Sequence, residues 1–344
     1  MSLATALRTG DLTQLPGKRD EDWRWTDLRG LLRTLPPAAP ALDVSGLAPG
    51  VFAGLADETL VLASGQETVS LDLAAGAERA VALRVVSRDG ALAGSVRIRV
   101  GAGAKLRLFE TYEGDDSAYV THAAISLVLD AGAMVERVVL AADGANGVTV
   151  SEADVTLAAG SEFGQTVLTS GARRQRLETR FAHPGASVTV RADGAYLLAD
   201  KRHADLTTVA DHLGAEGVTS QLTKGVVRDQ ARGVFQGRII VEEGADQTDA
   251  RMGHHALILS DQAEVDARPE LLIFADDVQC AHGNTVGALD EEALFYMRQR
   301  GLPEADARSL LIEAFVGEVV DRIWNEAARD VARDWIAARL RGGR

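Results

Sequence analysis

The 344-residue chain carries 50 acidic against 36 basic side chains, a formal charge of −14, and 46% of it is apolar although only 5% is aromatic. That acidity excludes a general phosphate-backbone binder, which needs clustered Lys and Arg, so no nucleic-acid partner is expected. No apolar run reaches the roughly eighteen residues of a membrane span, the N-terminus lacks a basic start followed by a long hydrophobic stretch, and one cysteine excludes an intramolecular disulfide, so a cytoplasmic protein is expected.

Residues 1–55 read as a helical segment and linker. Asp20 to Leu28 runs into Leu31 and Leu32, and prolines 36, 37 and 40 end any helix. Trp23 and Trp25 sit among charges and read as residues that pin this segment to the main body.

Residues 56–287 change to short alternating segments broken by glycine, such as Val96 to Val100, Lys105 to Phe109 and Ser187 to Arg191. A phrase of a small residue, glycine, then Ala or Ser, ahead of an alternating run, recurs at Gly76, Gly103, Gly132, Gly160 and Gly185, a spacing of 25 to 29 residues. Such a unit cannot bury its apolar face alone, so the units stack, and the spacing predicts an elongated parallel β-helix lined by small aliphatic residues. A jelly roll or sandwich is the competing architecture, since one sequence does not fix strand partners.

Residues 288–344 turn helical. Asp290 is placed as an N-cap ahead of Glu291 and Glu292, Gly301 stops that helix, and Pro303 opens a longer one with Leu310, Leu311, Ala314, Phe315, Val319 and Ile323 at helical spacing. The stripe is expected to continue to Trp335 and Ile336, with Arg339, Arg341 and Arg344 suiting the helix dipole. This unit is expected to cap the open end of the solenoid or to dock a partner.

Chemistry concentrates between Phe274 and Gly287, where the single cysteine, Cys280, precedes His282 by two residues and follows Asp276 and Asp277. In an extended chain Asp276, Val278, Cys280 and His282 share a face, with the thiol and imidazole α-carbons roughly 6.8 Å apart, so both could serve one metal centre or cluster. Two ligands are too few for a closed zinc site or an iron–sulfur cage, so a second chain would have to complete the shell. Gly283 and Gly287 are expected to bracket the strand end with turns, and the two aspartates to satisfy backbone donors. His254 and His255 are adjacent and so face opposite sides, which favours a structural role. Lys224 reads equally as a charge near a cluster or as a turn stabiliser. No phosphate-binding Gly-x-x-x-x-Gly-Lys-Ser/Thr loop is present, so ATP hydrolysis by this chain is not expected.

The blocks Gly194 to Leu197, Lys224 to Val226, Ala231 to Gly237, Gln247 to Ala250, Pro269 to Leu271, Phe274 to Gly287 and Leu294 to Tyr296 with Arg300 and Gly301, together with Glu21 to Thr26, make the chain resemble the SufD family of iron–sulfur cluster assembly proteins. The resemblance implies a right-handed β-helix between small helical regions, in a non-catalytic scaffold of the SUF system. It also implies pairing with a SufB-type scaffold and, through the C-terminal helices, with a SufC-type ATPase. His282 matches the histidine implicated there as a ligand of the nascent cluster, and Cys280 matches a nearby cysteine given a supporting role; the cluster would be transient and shared with the partner. The chain departs from the family at Asp246 and Met252, where glutamine is common. Two alternatives stand beside this reading: a SufB-type paralogue, disfavoured by the single cysteine, and a β-helix enzyme acting on acidic polysaccharide, disfavoured by the charge. A homodimer of the isolated chain through exposed strand edges is a further expectation.

Overall fold

The computed structural model describes residues 1–341, so Arg344 lies outside the described residues. Seventeen strands run from Glu58–Leu62 to Gln279–Gly287, and successive strands alternate between a nine-stranded and an eight-stranded parallel sheet. Each coil therefore contributes one strand to each sheet, and about eight coils stack into a flattened parallel solenoid. The interior between the sheets is filled by small aliphatics and a few rings, including Leu83, Val139, Phe163, Phe181 and Phe235.

The repeated turn is a column of left-handed residues. Gly76, Gly103, Gly132 and Gly160 all have φ between 66° and 69°, and the column continues through Ser187, Glu216 and Gln247 at 56° to 59°. Each donates its N–H to a carbonyl one coil further on: Gly76 to Ala102 at 2.9 Å, Gly160 to Ala186 at 3.0 Å, Glu216 to Asp246 at 2.8 Å and Gln247 to Asp277 at 2.6 Å. Gly185 is not in this column, and its equivalent is Ser187; the repeat is more regular than the glycines alone suggested, and three of its seven column positions, Ser187, Glu216 and Gln247, are not glycine. The ladder of hydrogen bonds holds these L-residues in a conformation that otherwise costs about 1–2 kcal/mol each.

The interior is not purely aliphatic. Arg137 makes a two-pronged contact with Glu110, both bonds 2.8 Å, and reaches Gln165 at 2.6 Å, all inside the solenoid and shielded from solvent. The pair is satisfied on both sides, which a buried charge requires.

The N-terminal segment is less helical than expected: α1 spans Leu3–Thr9, α2 only Leu28–Leu31, and Glu21–Trp23 is a single 3₁₀ turn. Leu3, Ala6, Leu15 and Leu28 pack on Val120, Val148 and Val150, the outer face of the eight-stranded sheet. The Trp23 ring lies 4.6 Å from the Arg176 guanidinium, which also bonds the Asp22 carbonyl at 2.7 Å and Asp205 at 2.7 Å, while Thr26 reaches Asp205 at 2.5 Å. Trp23 is thus part of a latch between the segment and the sheet.

Three helices close the chain: α3 (Glu291–Gln299), α4 (Glu304–Val320) and α5 (Glu326–Leu340). Asp290 caps α3 by accepting from the N–H groups of Glu292 and Ala293, and Asn325 caps α5 through Ala328. The expected continuous stripe is therefore split at Asp321 to Asn325. These helices do not cap the solenoid end. Ile312, Val316, Val319, Ile323, Trp335 and Ile336 lie against Phe109, Val138, Leu140, Leu168 and Leu222, the outer face of the nine-stranded sheet. That face carries apolar side chains where a solvated sheet would alternate polar ones, and α4 and α5 remove them from water.

Candidate functional site: the open terminal coil

With the helices on one sheet face and the N-terminal segment on the other, the last coil is open at its end, although its Arg268 is ion-paired with Glu21 and Asp22 of the N-terminal segment at 3.2 and 2.7 Å. Its strands Glu264–Ile273 and Gln279–Gly287 each pair on one side only. Leu272, Ile273, Phe274 and Val286 are exposed there, Phe274 at 61%. An unpaired strand edge with apolar side chains is a template for another chain.

The register decides where Cys280 and His282 point. Cys280 pairs with Ala250 and His282 with Met252 of the preceding coil, and both of those residues belong to the interior core. Cys280 and His282 therefore continue an interior column. Cys280 is half-buried against that core, and His282, with no further coil above it, is exposed. Burial pushes the Cys280 thiol up, the N–H of Ala250 opposes this, and the charge of Asp249 adds to it.

Other residues singled out by the sequence fall elsewhere. Asp276 and Asp277 lie in a bend before the strand, so Asp276 does not share the alternating face; Asp277 contributes its backbone carbonyl to the turn column. Gly283 and Gly287 lie within the strand and not in turns. Lys224 sits on the outer sheet face beneath α4, its ammonium 4.4 Å from the Phe315 ring centre and ion-paired with Glu318. It fastens a helix to the sheet, neither near the open coil nor in a turn. His254 points into the interior and His255 outward, where it meets Thr285 at 2.7 Å. Among the described residues, no group of three or more His, Cys, Asp or Glu side chains is placed to hold a metal ion. Cys280 and His282 form a pair at an open end and not a closed cage.

Over residues 83–315 the chain matches the family described as SUF system FeS cluster assembly, SufBD core domain. It belongs to the SufBD family. A curated relative, the iron-sulfur cluster assembly protein SufD of Escherichia coli, is 32% identical over 70% of this chain and 57% of its own length. The chloroplastic protein ABCI7 of Arabidopsis thaliana is 28% identical over 71% of this chain and 52% of its own length, so the matched part spans about half of each of these two relatives. A SufBD family iron-sulfur cluster assembly protein of Mycobacterium tuberculosis is 27% identical over 91% of this chain and 86% of its own length.

In this SufBD chain the matched stretch contains the terminal coil with Cys280 and His282, together with α3 and the first part of α4. The match takes in the solenoid from Leu83 onward, while the first coil (Glu58–Leu62 and Thr68–Leu73), the N-terminal latch and α5 lie outside it. No helix among the described residues is long and apolar enough to cross a membrane.

Proposed function

We propose that this chain is a SufD-type scaffold of iron–sulfur cluster assembly whose terminal coil docks a SufB-type scaffold, the two together holding a nascent cluster. The observation that carries the reading is the open interior column: a half-buried thiol and an exposed imidazole stand where the next coil would be, beside unpaired strand edges. A second scaffold stacking there would cover Phe274 and Val286 and bring the missing ligands. The cluster is cargo, and His282 is its ligand on this side, with Cys280 in support. Incomplete ligation from each side suits a cluster that must leave. One cysteine in the whole chain favours the SufD over the SufB role, because few thiols are available to receive sulfur.

The C-terminal helices are the docking element for a SufC-type ATPase. Phe295 and Tyr296 on α3 are 63% and 59% exposed, and Leu310 on α4 is 46% exposed, away from the residues that α4 buries on the sheet. The three segments 1–55, 56–287 and 288–344 then serve as latch, scaffold and docking unit. Without its partner, the chain would pair with a second copy through the same open coil. Catalysis by this chain is not part of the reading; the ATPase supplies the work.

Co-expression with SufB- and SufC-type partners tests it. His282→Ala is expected to leave the complex intact while iron and sulfide per complex fall severalfold, and Cys280→Ala to cause a smaller loss. A wild-type cluster yield in His282→Ala removes the residue from the site.

A further inference from the structure

The interior column of the last strand does not stop at His282. Asn284 and Val286 continue it, in register with His254 and Ala256 of the coil behind. Asn284 differs from Cys280 and His282 in having a buried support. His254 is fully buried, yet both its ring nitrogens are engaged: Nδ1 lies 2.7 Å from Asn284 Oδ1, and Nε2 lies 2.9 Å from the Tyr196 hydroxyl. The imidazole is parallel to Phe235 at 4.7 Å and stacked on Tyr196 at 6.0 Å, so it does not turn without displacing buried rings.

With Asn284 Oδ1 turned to the ring, as placed, Nδ1 of His254 carries the proton and donates it, and Nε2 accepts from the Tyr196 O–H; the other tautomer of His254 requires the Asn284 amide to be turned over. Burial holds the ring neutral, pushing its pKa down to about 4, and holds the tyrosine protonated by pushing its pKa up. With its oxygen committed to His254, Asn284 has its NH₂ group free at the uncovered end of the solenoid, on the same column as His282.

We propose that Asn284 is a further residue of the cluster site, a hydrogen-bond donor to the sulfide or thiolate sulfur of a cluster held on His282, and that His254 and Tyr196 are positioning residues that aim it. The inference rests on the reading of His282 given above. Cluster sulfurs carry much of the negative charge, and N–H donors to them favour the reduced state and tighten retention. Neither effect is expected from a residue that only fills space.

The test uses the co-purified complex with reconstituted cluster, and reads the cluster's midpoint potential and its rate of extraction by an iron chelator. Asn284→Ala is expected to lower the potential and speed extraction severalfold with the complex intact. Asn284→Asp, which replaces the donor with a charge, lowers the potential further. His254→Phe preserves the stack but removes both nitrogens, and is expected to shift the potential in the same direction with Asn284 present. A wild-type potential and extraction rate in Asn284→Ala, while His282→Ala still loses cluster, overturns the donor role; full cluster retention in His282→Ala overturns the reading beneath it. Nitrogen-15 NMR of the unsubstituted protein gives a check that needs no variant: a neutral His254 protonated on Nδ1 at pH 5.5 supports the relay, and protonation on Nε2 overturns it.

Discussion

Buried polar residues set the character of this solenoid, and His203 is a measurable case. Its Nε2 lies 3.0 Å from the Trp25 carbonyl, and burial, aided by the nearby charge of Arg174, lowers its pKa to about 3. Below about pH 6.5 the unfolded chain takes up a proton that the folded ring refuses, so the stability present above that pH is lost as pH falls, by about 1.4 kcal/mol per unit until the folded value is reached. His183, His212 and His254 act in the same direction, whereas Glu136, Asp143 and Asp193, all raised by burial, act in the opposite one. The contribution of one ring is therefore best read as a difference: His203→Gln should flatten the change in unfolding free energy between pH 7 and 5.5 by about 1 kcal/mol, measured by urea denaturation at both values. An unchanged slope would mean that His203 is charged in the folded state. The interior pair gives a second prediction. Glu110→Ala leaves Arg137 buried without its carboxylate and should cost about 3–5 kcal/mol, much of it restored by adding Arg137→Met. None of this polar interior was legible in the sequence, because Glu110 and Arg137 meet only once two coils are stacked in register. Cys280 and His282 were legible, since alternation along one strand puts them on one side whatever lies next to it. The same alternation could have pointed to Asn284, but its support, His254, comes from another coil.

At the level of elements, the turn column explains why the repeat could be counted but not completed from glycines. Ser187, Glu216 and Gln247 hold left-handed backbone by hydrogen bonds between coils, and no side chain advertises that. Gln247 is exposed with φ at 59°, so Gln247→Gly should relieve strain and raise unfolding free energy by up to about 1 kcal/mol in denaturant titration, whereas Gly132→Ala should lower it by about 1–2 kcal/mol. A destabilised Gln247→Gly would show that chain entropy outweighs the strain. The C-terminal helices were readable as helices from their caps and spacing. Their place on a sheet face was not, because it depends on the outward residues Phe109, Val138 and Leu168 of separate coils lining up as one apolar surface. Ile323 is buried at that contact, and Ile323→Ala should cost about 2–5 kcal/mol by the same denaturant measurement, with a value near zero placing α4 and α5 off the sheet.

For the whole molecule, two faces of the solenoid are covered by the chain itself, and its final coil is left with exposed apolar residues and unpaired strands. The strands of the first coil, Glu58–Leu62 and Thr68–Leu73, also pair on one side only, so the proposed function turns on the apolar residues and the Cys280–His282 pair at the final coil: one scaffold ends where another would begin, and the cluster sits at the join. Amide hydrogen exchange of the chain alone and in complex with a SufB-type partner tests this most directly. The account predicts slowed exchange across Glu264–Ile273 and Gln279–Gly287 on complex formation, with Glu58–Leu62 and Thr68–Leu73 at the opposite end unchanged. Protection confined to that opposite end, with the terminal coil exchanging as freely in the complex as alone, would contradict it.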